Sequence, residues 1–483
     1  MSALTASTPH TQRPSPLRLF RRHSDVALSA AMGALVALLI MTLPLQAALA
    51  TAVVGAFVLI ALVDTRVALL ALILVRATVD VSATVQLVAV GGSVNVNANA
   101  LMSLLVIGLG VAHIALHRID LRRIPLVTPF AAFVAITFAG LAFSPDIGLS
   151  LQDWLRAVGA LVVYILTVDL MRTHAERRWL LRMVVLSALI PVVVGLHQYV
   201  TDTGNHDTPG YNRIMGTFVH PSPYAFYLVQ IFPLALVLFL HAQSRVARVG
   251  LGLLIPVMAF SIYATQTRGA WLGMLVMLAV LMWYRARWTI VLIPLVVIAA
   301  YFAVPSVHTR LGDITSGTCE SVTYCESSVL WRTKQWEATL EVPSLPQLAT
   351  VGAGLRSVDI VRGEFTHNEY VRLLAETGLL GLAATVILYA SLFRITRDGA
   401  AAAESPFKRD LMLAFMMTFI ARAIMSGGDN LLVITVLEWY FWAFAGVIVV
   451  ESGAYDRFAR ARENEERNRR SRIPAPRAAE AQA

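Results

Sequence analysis

His367, in Thr366-His367-Asn368-Glu369-Tyr370, is the residue of this chain best suited to take a proton, and Arg268 and Arg213 are the two best suited to hold an anion. Imidazole exchanges a proton near neutral pH, and a positioned histidine serves as general base. Arg268 stands in Thr267-Arg268-Gly269-Ala270-Trp271-Leu272-Gly273, where one apolar run ends and the next begins. Its planar guanidinium offers a diphosphate several donors and keeps its charge. Gly269 and Gly273 allow close backbone approach beside it. The other reading of Arg268 is an interfacial side chain whose head only reaches for water. Arg213 lies in Tyr211-Asn212-Arg213-Ile214-Met215-Gly216-Thr217-Phe218-Val219-His220-Pro221, just before the run that starts near Tyr224, and is either a second anion ligand or a surface cation. A base with two fixed cations suits attack by a hydroxyl that expels a diphosphate.

Neighbouring residues receive blander readings. His220, before Pro221, reads as a turn or interface histidine first and as a ligand or acid–base group second. Thr366 to Glu369 has the S/T-x-x-E form of a capping box, so Glu369 is expected to cap a helix with His367 in its first turn. Trp331, Arg332 and Trp336 fall on an amphipathic helix and look structural, and Gly352-Ala353-Gly354 reads as a turn that delivers Arg356, a possible substrate contact. Asp429, followed by Asn430, either binds a sugar hydroxyl or caps a helix. Cys319 and Cys325 are the only cysteines; in an oxidising compartment they close a small disulfide loop, and otherwise they are free thiols. The hydrophilic loop has no Asp-x-Asp pair and no His, Cys and carboxylate cluster of metal spacing, so no metal or other cofactor is expected and arginines must neutralise any diphosphate. The lack of a phosphate loop and of a nucleophile elbow removes ATP-driven transport and serine-hydrolase chemistry.

The elements that must position these residues are membrane helices. Of the 483 residues 57% are hydrophobic and only 14% charged, which defines an integral membrane protein. Thirteen apolar runs between residues 26 and 450 are long enough to cross the bilayer, and a shorter one, Val67 to Val75, is a further or a partial crossing. Arginines cluster at alternate ends of the runs, at Arg18 to Arg22, Arg118 to Arg123, Arg172 to Arg178, Arg245 with Arg248, Arg285 with Arg287, and Arg394 to Arg409. That alternation puts both termini in the cytoplasm and the hydrophilic loop outside. The expected organisation is a disordered cytoplasmic leader at 1–25, transmembrane helices at 26–304, the extracytoplasmic loop with His367 at 305–376, transmembrane helices at 377–450 and a basic cytoplasmic tail at 451–483. Ala48-Leu49-Ala50 has the form of a processing site, but another span follows at once and the first span is read as uncleaved. The expected fold is thus an all-α polytopic membrane protein of about 12–14 transmembrane helices with one long outer loop. The net charge of +9 is explained by the loop arginines and tail, with no nucleic-acid partner.

At these same residues the chain resembles the O-antigen ligase and polymerase superfamily of bacterial membrane glycosyltransferases. The resemblance rests on Gly216-Thr217-Phe218-Val219-His220-Pro221, Thr267-Arg268-Gly269-Ala270-Trp271, Trp331-Arg332 through Gly352-Ala353-Gly354, and His367-Asn368-Glu369-Tyr370 with Glu376-Thr377-Gly378-Leu379-Leu380-Gly381, in the family's order. It implies a glycosyltransferase C-like fold in the bacterial inner membrane, an undecaprenyl-diphosphate-linked glycan donor, and a glycan or glycolipid acceptor. It also implies that Arg268 and Arg213 lie near the donor diphosphate and that His367 activates the acceptor. No carboxylate nucleophile for a two-step route is evident, so transfer should invert the anomeric centre. Two other classes share the span count. A flippase or secondary transporter of lipid-linked glycan should carry an internal repeat, which is not seen, and a membrane acyltransferase with an intramembrane histidine should ignore a lipid-linked sugar.

Overall fold

The computed structural model describes residues 55–80, 86–90, 94–206, 212–312 and 328–472. The leader, the first apolar run, Cys319 with Cys325, and the end of the tail lie outside the described residues. The chain falls into two compact units, Met1–Ala68 and Leu69–Ala483. Residues 55–68 of the first are helical except at Asp64.

Helix α1, Thr65–Arg76, extends into the second unit. At 12 residues it is about 18 Å long, short of the roughly 30 Å hydrocarbon layer. It ends on a buried Arg76 that pairs with Asp80 at 3.2 Å and lies over the Trp439 ring. A hairpin follows, β1 Gln86–Val90 antiparallel to β2 Val94–Asn97, the one departure from an all-helical fold among the described residues. Alternating valines around Gly91-Gly92-Ser93 carry that signal.

Next come α2 Ala98–His117, α3 Val127–Gly140, α4 Ile147–Leu170, α5 His174–Leu186, α6 Leu189–Thr201, α7 Pro221–Leu240, α8 Arg245–Ala264 and α9 Arg268–Arg285. Caps mark their starts: Asp146 accepts from the Leu149 amide at 3.0 Å, Thr173 and Glu176 form a capping box, and Ser244 accepts from Ala247. The apolar α10 Leu292–Ala303 follows, and the hydrophilic segment then holds α11 Pro305–Gly312, α12 Ser328–Leu340, α13 Leu345–Ala349 and α14 Ser357–Arg362. Then α15 Glu369–Ala401, α16 Pro406–Met425, α17 Thr435–Glu451 and α18 Ala454–Arg472 complete the chain.

Five helical stretches are long and apolar enough to cross a membrane, and up to seven if each bent pair counts once, among the described residues. Fewer pass than the sequence runs promise, for composition reasons. Arginines bound α9 at both ends, and α16 carries Lys408, Arg409, Asp410 and Arg422. Large apolar side chains stand exposed along the outer helices, Val200, Val246 and Phe302 each by at least 80%, as a lipid-facing surface requires.

The core is α17, whose Trp439, Tyr440, Phe441 and Trp442 are almost wholly buried. It packs on α4, where Gly446 meets Thr167 and Gly159 meets Trp439. One buried ion pair, Arg422 with Glu438, joins α16 to α17, and Gln230 on α7 accepts from Arg422 at 3.2 Å and donates to the Leu437 carbonyl.

The break in α15 matters for the site. Gly378 has φ 63° and ψ −171°, so a short helix at 369–377 gives way to the long apolar one. The loop at 350–354 laces into the gap: Ala353 and Gly354 amides donate to the Ala375 and Glu376 carbonyls at 2.9 and 3.0 Å, and Leu380 donates to Thr350 at 3.1 Å. A Cβ on Gly378 would sit 2.2 Å from the Thr350 oxygen, so only glycine fits.

Candidate functional site

The N-termini of α7, α9, α15 and α17 and the C-terminus of α16 gather at one end of the bundle. Antiparallel packing establishes this: His241 at the end of α7 bonds Asp410 at the start of α16, whereas Gln230, further toward the start of α7, bonds Arg422 near the end of α16.

His367 sits at φ 50° between a buried Thr366 and Asn368. The expected capping box does not form. Asn368 is the N-cap and its side chain accepts from the Tyr370 and Val371 amides at 3.0 and 3.2 Å, so His367 precedes the helix instead of lying in its first turn. The Asn368 amide side chain, two residues nearer the helix than Thr366, makes the better cap, and it frees Glu369 for buried pairing with Arg372. Glu369 also accepts from the Leu432 amide at 2.7 Å, the Asn368 amide donates to Asn430 Oδ1 at 3.1 Å, and the Glu369 amide donates to the Ser426 carbonyl at 2.8 Å. These bonds stitch the start of α15 to the 426–432 loop. As a result His367 Nδ1 lies 3.6 Å from Asp429 Oδ1, with the Trp331 ring centred 5.6 Å from the imidazole.

Asp429 caps no helix; Ile434 holds the N-cap position of α17, and Asp429 instead accepts from the Asn430 amide at 2.9 Å. Arg332 forms the third wall, its Nη1 3.5 Å from where a Cβ on Gly428 would lie. Burial pulls the Arg332 pKa below its ordinary value, and the Asp429 charge opposes that shift. Trp331 and Arg332, which look structural in the sequence, thus belong to the site. They are themselves the Trp-Arg pair that opens one motif of the resemblance, and that was the available signal.

The second cluster surrounds the turn before α9. Arg213 is buried and donates from Nε to the Thr265 carbonyl at 3.0 Å and from Nη2 to Thr267 Oγ1 at 3.4 Å. Arg268, the first residue of α9, donates to the Arg310 carbonyl at 3.3 Å, and a buried Arg310 donates to the Gln266 carbonyl at 3.2 Å. Arg310 escaped the sequence reading because nothing local marks it; only the sharp 101° bend between α10 and α11 brings it back. Three guanidinium groups and the positive end of α9 therefore share one turn, a setting for phosphate groups. Gly273 abuts Met425, four residues before Asp429 in the chain, so this cluster and His367 occupy the same end of the bundle.

His220 caps α7, its Nδ1 accepting from the Ser222 amide at 3.2 Å, which matches the turn reading. Arg356 takes φ 62° at the start of α14 and makes no hydrogen bond or ion pair with His367 or Asp429. Among the described residues no group of three His, Cys, Asp or Glu could hold a metal ion. A cavity of about 60 Å³ between α3, α4, α15 and α17, lined by Asp153, Arg372, Glu438 and Trp442, belongs to the interior ion pairs and not to His367.

A nearly all-helical bundle with lipid-length apolar helices and a polar site at one end defines an integral membrane protein. Residues 253–386 match the family model described as O-Antigen ligase, and that stretch supports a place in the O-antigen ligase and polymerase superfamily. The family supports a ligase- or polymerase-type enzyme that joins glycans at a membrane. The match takes in Arg268, Arg310, Arg332 and His367, and leaves Arg213, His220 and Asp429 outside it. No curated protein matches the chain.

Proposed function

We propose that this chain transfers a glycan from undecaprenyl diphosphate to an acceptor hydroxyl at the outer face of the bacterial inner membrane, with both termini cytoplasmic. The observation that carries the reading is His367 facing Asp429 at the same end of the bundle as Arg213, Arg268 and Arg310. With Nδ1 turned to the Asp429 carboxylate, the opposite ring nitrogen, Nε2, is the one that meets the acceptor. The acceptor oxygen attacks the anomeric carbon and its proton passes to Nε2. The bond to the diphosphate breaks, and its electron pair leaves with the diphosphate, whose charge the arginines stabilise. A single displacement inverts the anomeric configuration, and the guanidinium groups do the neutralising work without a metal.

Purified protein given a defined undecaprenyl-diphosphate-linked glycan and candidate acceptors should form the joined product with an inverted linkage. Donor binding with no transfer to any acceptor would point instead to transport, and labelling by an acyl donor to an acyltransferase.

A further inference from the structure

At the opposite end of the bundle a cavity of about 800 Å³ opens between the start of α5, the end of α7 and the start of α16. The one carboxylate on its wall, Glu451, is already committed, and so is Asp410 beside His241. Glu451 is buried behind Arg177, accepting from its Nε at 2.6 Å, and meets His174 Nδ1 at 3.2 Å. Asp410 is held by His241 Nε2 at 3.0 Å and by Arg285. Three cations on the wall are left over: Arg178, Arg182 and Lys408 form no ion pair among the described residues. Arg178 lies over the Phe407 ring at 5.1 Å and Arg182 over Trp179 at 5.3 Å, so aromatic faces hold both guanidinium groups in place.

Three unneutralised cations around one concavity call for an anion with several acceptor oxygens. Its level in the bundle specifies the source. Arg178 and Trp179 stand on the first turns of the apolar stretch His174–Thr201, where headgroups meet hydrocarbon and where Trp and Arg anchor a span. Basic pockets at such ends take up lipid headgroups. We propose that this cavity binds the phosphate of an anionic membrane phospholipid through Arg178, Arg182 and Lys408, with Trp179 and Phe407 against its glycerol and first acyl carbons.

The full chain, purified in detergent and offered equal amounts of phosphatidylglycerol and phosphatidylcholine, is examined by native mass spectrometry. Wild-type protein should retain phosphatidylglycerol preferentially. The triple variant Arg178→Gln, Arg182→Gln, Lys408→Gln should lose that preference by roughly tenfold or more, given the worth of each near-surface cation. A charge-matched triple variant on the same end, Arg245→Gln, Arg287→Gln, Arg397→Gln, should keep it. Should the first triple variant fail to fold, Arg182→Gln alone, an exposed side chain with no hydrogen bond, should still reduce the preference several-fold. Equal loss in both triple variants, or no wild-type preference, would overturn the site. Displacement of the lipid by millimolar inorganic phosphate would overturn the lipid as its occupant.

Discussion

At the residue scale, the pairing of His367 with Asp429 makes the histidine's role separable from that of the arginines. His367→Ala is expected to slow the chemical step by about two to four powers of ten, the usual worth of a positioned base, while lipid-linked donor still binds. His367→Gln should fail equally, because an amide cannot take the proton. Near-normal single-turnover transfer by either variant in a purified assay would make His367 structural. For the arginines, geometry should matter beyond charge, since lysine cannot present a fork of donors. Arg268→Lys should lose most turnover at saturating donor while still inserting; Arg213→Lys, whose backbone already bridges Asn205, should lose less. Wild-type turnover by Arg268→Lys would remove it from the site. Asp359, on α14, offers a pH test. Burial raises its carboxyl pKa, only partly opposed by Arg372, and one oxygen is buried without a partner. A raised pKa in the fold favours the protonated form, so the contribution to stability is present below the unfolded value and is lost as pH rises through the folded one. Asp359→Asn should therefore raise Tm at neutral pH and flatten the fall of Tm with rising pH. An unchanged slope would show that the carboxyl is not held this way.

At the element scale, the site depends on the broken helix. The bonds from 350–354 into the gap at Gly378 fix the start of α15, and the start of α15 carries Asn368 and the loop that ends in His367. Gly378→Ala would place a Cβ against the Thr350 oxygen in a backbone region that only glycine tolerates. The expected cost is about 1–3 kcal/mol or more for the backbone alone, read as a lower Tm, with a parallel loss of transfer because His367 no longer faces Asp429. A variant with lowered Tm and full activity would show that the lacing stabilises the fold without positioning the histidine. The sequence placed the apolar run at 377–393 and the turn at Gly352-Ala353-Gly354 correctly. It could not show that the turn fills the helix break, because the two meet through backbone groups that every residue carries.

At the scale of the whole molecule, the two ends of the bundle differ in chemistry. One holds His367 and three arginines on a single turn; the other holds the paired arginines at Arg172, Arg177 and Arg285 with the tail helix α18. The proposed orientation rests on arginine alternation and is open to direct measurement. With Cys319 and Cys325 replaced by serine, a cysteine at Arg356 should react with a membrane-impermeant reagent in intact cells, and one at Arg397 only after lysis. The reverse pattern would move the site to the cytoplasm and end the proposed reaction.

Composition determined that this is a membrane protein, because so many apolar runs of lipid-spanning length exceed what a soluble core can bury, while arginine placement bears only on the proposed orientation. Local spacing also determined that Arg268 opens a helix and that His367 lies near the start of another. Tertiary structure decided what these residues face. Asp429 stands some sixty residues after His367, as Asn430 does after Asn368 at a separation of 62. Arg310 reaches the Arg268 turn from 42 residues away. Helical periodicity fixes which side of its own helix a residue occupies, but register between helices is set by close packing such as Gly273 on Met425 and by the buried Arg422–Glu438 pair, and neither has a local signature in the chain.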